Sequence, residues 1–424
     1  MKRSRILFLA IFSMLGFLTS SMLLTILNNF NPSWSYFLTD NQDEQNSTCA
    51  MSEDGNFIVV GSGNDYLYLF EHNKPLPEWR YKMSDDVISV DISANGKYIV
   101  ACDLASNVLL FQRDSSIPMQ IYKGNPYMIT YAEISANGNY IIIKSGETLC
   151  LYHRESLTTL WSTSIPSGTY PLIEISNDGS KIAASSDGIL YYFEKESSSP
   201  LWCHDTQEIF ITSLAISSGG EVIAMGGQNQ RIDVFYNTNP TPYRSYKTST
   251  TIRSLSISKD GSIIAAGCAD GCYLFNIYNT TYIWRYGLRS DSSHLAISSD
   301  GNYIVGGDLF YDDVNNKIYC LMKDTNLPHW SIGVSGMINE VSISDTGDII
   351  AVATQHYFYY LNRQNPNVFD LYQTIVNLTF AGYCVSAHLG IILGVWYVLK
   401  SFRINVFNEI MRFKQKGKFQ RQFH

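Results

Sequence analysis

Between Val87 and Phe111 apolar residues alternate at Ile88, Val90 and Ile92, pause at Ser93-Ala-Asn-Gly96, and run unbroken through Tyr98-Ile-Val-Ala101. After a second polar break they resume as Val108-Leu-Leu-Phe111. The pattern predicts three short strands joined by two tight reversals. Asn95-Gly96 supplies the first, because a two-residue turn needs φ > 0 and Asn and Gly adopt it at least cost. The phrase recurs with its glycine at 55, 96, 138, 179, 220, 261, 301 and 347, at spacings of 41, 42, 41, 41, 41, 40 and 46 residues. Eight copies at one period make a repeat architecture rather than a string of independent domains.

A second periodicity, one strand further on, completes the unit. Trp34, Trp79, Trp161, Trp202, Trp284 and Trp330 share one phase, four of them in a Pro-x-Trp phrase, and Gln120 and Arg244 hold the two remaining slots. A tryptophan at this position reads as an outer-strand anchor against the neighbouring unit rather than a platform for a prosthetic group. Four short strands repeated eight times predict an all-β, eight-bladed propeller over residues 31–362. Blades packed face to face cover their inner strands on both sides, which explains unbroken apolar runs such as Ile263-Ile-Ala-Ala266.

The repeat Ser-x-Asp-Gly-x-Tyr-Ile-Val-x-Gly-Ser … Leu-x-Leu-Phe … Pro-Leu-Trp resembles the WD-repeat and pyrroloquinoline-quinone-like propeller superfamily, in particular archaeal membrane-anchored surface members. The Gly-His and Trp-Asp dipeptides of typical WD repeats are missing: Phe70-Glu71 and Phe193-Glu194 stand where Trp-Asp would. Eight copies lean towards the quinoprotein-like branch. That branch implies adjacent cysteines and a calcium-ligand set with a base, and this chain has no vicinal Cys.

Both ends change character. Lys2, Arg3 and Arg5 precede the uncharged run 6–27, long enough to cross a bilayer core. Residues 1–28 thus read as a membrane anchor, with a cleaved signal peptide as the rival, Thr19-Ser-Ser21 supplying small residues for a cut. After a linker at 363–374, a second apolar segment spans 375–399, followed by a tail, 400–424, with seven Lys or Arg against Glu409. Cations just outside both spans place both termini in the cytoplasm and the propeller outside the cell membrane. Between those ends 20 basic residues face 37 acidic ones, a net charge of about −17. So acidic a body is a poor partner for nucleic acid.

In the second span Gly382, Ser386, Gly390 and Gly394 recur every four residues, a small-residue stripe suited to close helix packing with the first span or a second copy. His388 lies among them as a proton-site candidate. The tail repeats apolar residues at Phe402, Val406, Ile410 and Phe413, an amphipathic helix for the inner leaflet or a cytoplasmic protein.

Candidate chemistry is sparse. Eight His are scattered, and the recurrent acid at Asp54, Asp178, Asp260 and Asp300 belongs to the turn. No catalytic set and no cofactor site are expected. Asp308, Asp312 and Asp313, in the long hairpin 307–317, are candidate calcium ligands. Cys268-Ala-Asp-Gly-Cys272 flanks a hairpin turn and is a candidate disulfide; Asn46-Ser-Thr and Asn279-Thr-Thr are candidate glycan acceptors. The favoured reading is a membrane-anchored, non-enzymatic recognition or scaffold module for a protein or glycan. A tethered quinoprotein-like oxidoreductase and a surface sensor coupled through its two spans stay open.

Ring closure selects the exposed face. Eight repeats need eight outer strands, and nine candidates exist: Pro32-Ser-Trp34-Ser-Tyr36 before the first repeat and Pro366-Asn-Val368 after the last compete for one place. The tryptophan favours the first, which predicts that 32–37 pairs with the strand around Phe358 to Leu361. The opposite face then carries the partner-binding candidates Asp85, Asp86, Tyr127, Tyr170, Asp205, Glu208, Phe310 and Tyr311.

Overall fold

A computed structural model describes residues 33–39, 47–124, 130–156, 158–166, 172–207, 210–288, 294–308, 316–364 and 368–369. The two apolar spans, the basic tail, Asn46 and the helix-packing residues Gly382, Ser386, Gly390 and Gly394 lie outside them. Among the described residues no helix is long and apolar enough to cross a membrane.

Each predicted repeat folds as an antiparallel sheet, and the eight sheets are the blades of a propeller. Blades 1 to 7 occupy 47–82, 87–123, 130–164, 172–205, 211–247, 252–287 and 295–333. Blade 8 takes its first three strands from 338–362 and its fourth from Ser33–Phe37. That strand runs antiparallel to Tyr357–Asn362, with Trp34 opposite Tyr360 and Tyr36 opposite Phe358. Asn362 N donates to Ser33 Oγ at 2.8 Å, so the start of one strand is fixed to the end of the other. The closure expected from the tryptophan is therefore the one formed. The competing segment is not spare, however: Val368–Phe369 adds a fifth strand, parallel to and outside Ser33–Phe37. It covers part of an edge that would otherwise present unpaired backbone groups.

The turn glycines earn their place. All eight have φ between 67° and 78°, the left-handed region where a Cβ is costly. At Gly179 an added Cβ would lie 2.4 Å from Tyr140 of the preceding blade. The turn serine and aspartate lock the same bend: Ser52 Oγ donates to Asp54 Oδ1 at 2.6 Å and accepts from Phe57 N at 3.0 Å. Burial alone would raise such carboxyls, but hydroxyl and N–H donors hold Asp54, Asp178, Asp260 and Asp300 below the usual carboxylate range.

The outer-strand tryptophans tie blade to blade. The indole N–H of Trp79, Trp161, Trp202, Trp284 and Trp330 donates to the carbonyls of Arg113, Lys195, Asn237, Lys323 and Arg363, each just past the third strand of the next blade. Three of those acceptor residues also lay a cation on an aromatic ring of the preceding blade: Arg113 on Phe57, Lys195 on Tyr140 and Arg363 on Tyr303. Where Arg244 replaces tryptophan, Tyr246 takes over, its hydroxyl donating to Asn276 O at 2.9 Å and Asn279 O at 3.1 Å. Tyr246→Phe is expected to lower stability by about 1–2 kcal/mol, as for removing a buried donor from its acceptors. Urea midpoints at unchanged m-value measure it; an unaltered midpoint would show that Tyr246 is not the substitute anchor.

The candidate Cys268–Cys272 disulfide is not formed. The hairpin pairs Cys268 with Gly271 and Gly267 with Cys272, so the two thiols lie on opposite faces of blade 6. Cys268 is buried with blade 5, Cys272 with blade 7. Strand alternation, not distance along the chain, decides this.

Candidate interaction face

The two ends of the central channel differ. At the end carrying the Ser-x-Asp-Gly turns, backbone hydrogen bonds of 2.8 to 3.1 Å run round the axis from Glu53 through Ala94, Ala136, Asn137, Asn177, Ser218, Lys259, Ser299 and Asp345 back to Glu53. Inside that ring the Lys259 ammonium bridges Glu53 at 2.8 Å and Asp345 at 2.9 Å. Asn177 Nδ2 donates to Glu53 at 3.2 Å. Side chains of blades 1, 4, 6 and 8 thus meet across the axis and plug it. Burial works against the Lys259 charge, but its two carboxylate partners raise its pKa.

The other end carries the second-to-third-strand hairpins and the connections between blades. Here the channel opens as a cavity of about 450 Å³ lined by Ser47, Thr48, Val87, Ile88, Leu104, Tyr131, His294, Asn339 and Glu340. Glu340 accepts from Thr48 Oγ1 at 2.6 Å and from Cys49 N, and burial raises its pKa. Burial alone lowers that of His294 to about 4, so its imidazole is neutral.

Further in, the inner strands of blades 2, 3 and 4 place Asp91, Glu133 and Glu174 at one level, two residues before the turn serine in each. Two of them tie neighbouring blades: Asp91 accepts from Ile134 N at 2.8 Å and Glu133 from Ile175 N. In blades 5 and 6 hydroxyls do this work, Ser213 accepting from Leu255 N at 2.7 Å and Ser256 from Ile297 N at 3.2 Å. Burial drives Asp91 up to about 7 and Glu174 up to about 8, the latter with the charge of Asp91 adding to it. Glu133 is raised well above its usual value by burial and by Glu174, Asp91 and Glu340. One wall of the channel is acidic and the other hydroxylic. The sequence held the signal: aligned on the turn serine, this column reads Ala50, Asp91, Glu133, Glu174, Ala215, Ser256, Ala296, Ser342.

The partner-binding candidates that are described lie on the open face. Asp85 and Asp86 occupy the connection between blades 1 and 2, and Asp205 ends the outer strand of blade 4. Oxygens of Asp85, Asp86 and Asp65 come within 4.8 Å of one another. Lys82 lies 3.6 Å from Asp65, leaving this trio as a solvated acidic edge. Tyr127, Tyr170, Glu208, Phe310 and Tyr311 lie outside the described residues. So do Asp312 and Asp313, while Asp308 ends the strand Tyr303–Asp308 with its backbone paired to Lys317. Exposed apolar residues at this face are Phe37, Leu104 and Phe210.

Residues 240–273 match the WD40 family (WD domain, G-beta repeat). They begin before the outer strand of blade 5 and end inside the third strand of blade 6, so the sequence repeat straddles two blades. Among solved structures, Sqt1 of Saccharomyces cerevisiae aligns with TM-score 0.65 at 13% identity, over 79% of this chain and 100% of that one. The C-terminal WD40 domain of Sif2 aligns with TM-score 0.62 at 14% identity, over 78% and 98%. No curated protein sequence matches the chain. The structural likenesses show the propeller fold, and the family match covers one repeat of it; the quinoprotein-like branch gains no support from them.

Proposed function

We propose that this WD-repeat-type propeller is a membrane-anchored, non-enzymatic interaction module that binds a protein partner on its open channel face. One observation carries the reading: the two ends of the ring are unlike. The turn end is closed across its axis by Glu53, Asn177, Lys259 and Asp345 bound to one another, whereas the mouth opens as a cavity, and one register position there carries Thr48, Ser89, Tyr131, Leu172, Ser213, Ser254, His294 and Glu340 in blades 1 to 8. Repeated positions serve the fold; function requires positions that differ. Crosslinking with mass spectrometry in the native membrane tests this, with partner links expected at the inter-blade connections of the open face. Loss of those links after deglycosylation of the membrane would reassign the partner to a glycan.

Anchoring rests on the cations outside both apolar spans. Protease added to intact cells is expected to degrade the ring and spare tags at Met1 and His424. Digestion of the C-terminal tag would overturn the two-span topology. The oxidoreductase alternative predicts that quinone and calcium at 100 times Kd stabilise the ring by about 2.7 kcal/mol; no shift in thermal midpoint would exclude it.

A further inference from the structure

The mouth of the channel is amphipathic. Ile88 and Leu104 of blade 2 form an apolar wall over the buried Val87, with the Tyr131 ring of blade 3 beside it, and Glu340 of blade 8 faces them. Two of the mouth's polar groups offer acceptors. Glu340 takes one hydroxyl and one N–H, which leaves carboxylate lone pairs over. His294, neutral and half-buried in the lining, accepts from Gly307 N at 3.2 Å through its carbonyl, while its imidazole has no hydrogen-bond partner among the described residues. Its uncharged ring offers one accepting nitrogen.

Charge points the same way. Beneath the mouth stand Asp91, Glu133 and Glu174, and among the described residues neither these nor Glu340 forms an ion pair. At the register level of the mouth Arg253 of blade 6 is exposed and outside the cavity lining, and Lys144, paired with Tyr131, turns its ammonium to the carbonyls of Gly146 and Pro166. A cavity with the Glu340 carboxylate at one end and an apolar wall along one side is complementary to a cation on a methylene stem, and the carboxyls below, which burial holds protonated to higher pH, ionise more readily once a cation is near. Leu104 stands 40% exposed at the rim, where a partner backbone covers it and a free amine does not.

We propose that this cavity receives a basic side chain of a protein partner, its ammonium or guanidinium against Glu340 and His294 and its stem along Ile88 and Tyr131. The inference rests on the open face being the interaction surface and adds the chemistry of what it recognises.

The test is selection of a random linear twelve-residue peptide display library on the full chain in detergent, with an unrelated eight-bladed propeller as the control. Enriched peptides are expected to share one Lys or Arg. Replacing that residue by norleucine should weaken binding on the order of tenfold or more, and Glu340→Gln should do the same. The amide introduced by Glu340→Gln keeps an acceptor for Thr48, and an unchanged melting curve separates loss of charge from loss of fold. A photoreactive group beside the basic residue should label 47–51, 87–92 or 338–343. Peptides that are lost on Leu104→Asp but need no basic residue would overturn this inference and leave the interaction face standing. Enrichment no better than on the control, or labelling confined to the turn end, would overturn both.

Discussion

Replacing Trp34 by alanine is expected to destabilise the ring by about 3–5 kcal/mol, the cost of removing a buried large aromatic. Its side chain is 2% exposed. It stacks on Tyr360 at 5.1 Å and meets Phe358 and Phe70, each at 5.5 Å, so it joins blade 8 to blade 1 as well as its own strand to the sheet. No hairpin links Ser33–Phe37 to the strand it pairs with, so this contact also holds the first described strand to the eighth blade. Leu160→Ala, at an exposed outer-strand position, should stay within about 0.5 kcal/mol. Urea midpoints compare them, and a Trp34→Ala cost no larger than that of Leu160→Ala would mean that the N-terminal strand does not close the ring.

This seam differs from the others in one respect. Trp34 Nε1 and the Tyr360 hydroxyl are buried without a hydrogen bond. In blade 4 the equivalent pair is satisfied, Trp202 donating to Asn237 O at 2.7 Å and Tyr192 to Gly220 O at 2.8 Å. Trp34→Phe should therefore cost about 1 kcal/mol less than Trp202→Phe, because only the second forfeits a formed bond.

The second large effect is on pH dependence. In the unfolded chain Asp91, Glu133, Glu174 and Glu340 ionise near their ordinary values, about 4. Folded, all four hold their protons higher, Asp91 to about 7 and Glu174 to about 8. Between those limits the native state binds more protons than the unfolded state, so stability falls as pH rises. His294, lowered to about 4, works in the opposite sense below its unfolded value of 6.5. Above 6.5 only the carboxyls act. From pH 6.5 to 8, Glu174 alone contributes a loss of roughly 2 kcal/mol, or about 4 °C in thermal midpoint for a domain of this size. Glu174→Gln should flatten that slope. A midpoint that stays level or rises across this interval would show that the acidic wall is not desolvated.

Much of this fold could be read from turn chemistry. Gly96 and its seven counterparts mark a bend that needs positive φ, and the spacing between them is the blade. Trp34 could be matched to its place because an aromatic anchor is a stronger signal than the short segment at Val368. The weaker segment still found a use, since an outer edge accepts even a two-residue strand. Other features lie in how positions combine across blades. Tyr246 stands two residues beyond the empty tryptophan slot, on the same face of its strand, so only the pleat reveals it as the substitute. Cys268 and Cys272 look adjacent in sequence, yet a two-residue turn sets them on opposite faces. The acids of the channel wall are visible only when the inner strands are stacked, because in any one strand Asp91 or Glu174 looks like an ordinary polar position. The cavity at the mouth had no local signature: Val87, His294 and Glu340 are brought together by closure of the ring.

The central claim is that the open face binds and the turn face does not. It is tested most directly by measuring how much partner is retained in the native membrane by two sets of surface variants with matched melting curves. Asp85→Lys, Leu104→Asp and Asp205→Lys alter the open face, and Lys97→Glu, Glu196→Lys and Asn279→Lys alter the turn face, all at exposed positions. The account predicts that the first set loses the partner, on the order of tenfold or more for the Leu104 change, and that the second retains it. Loss confined to the turn-face set would contradict it.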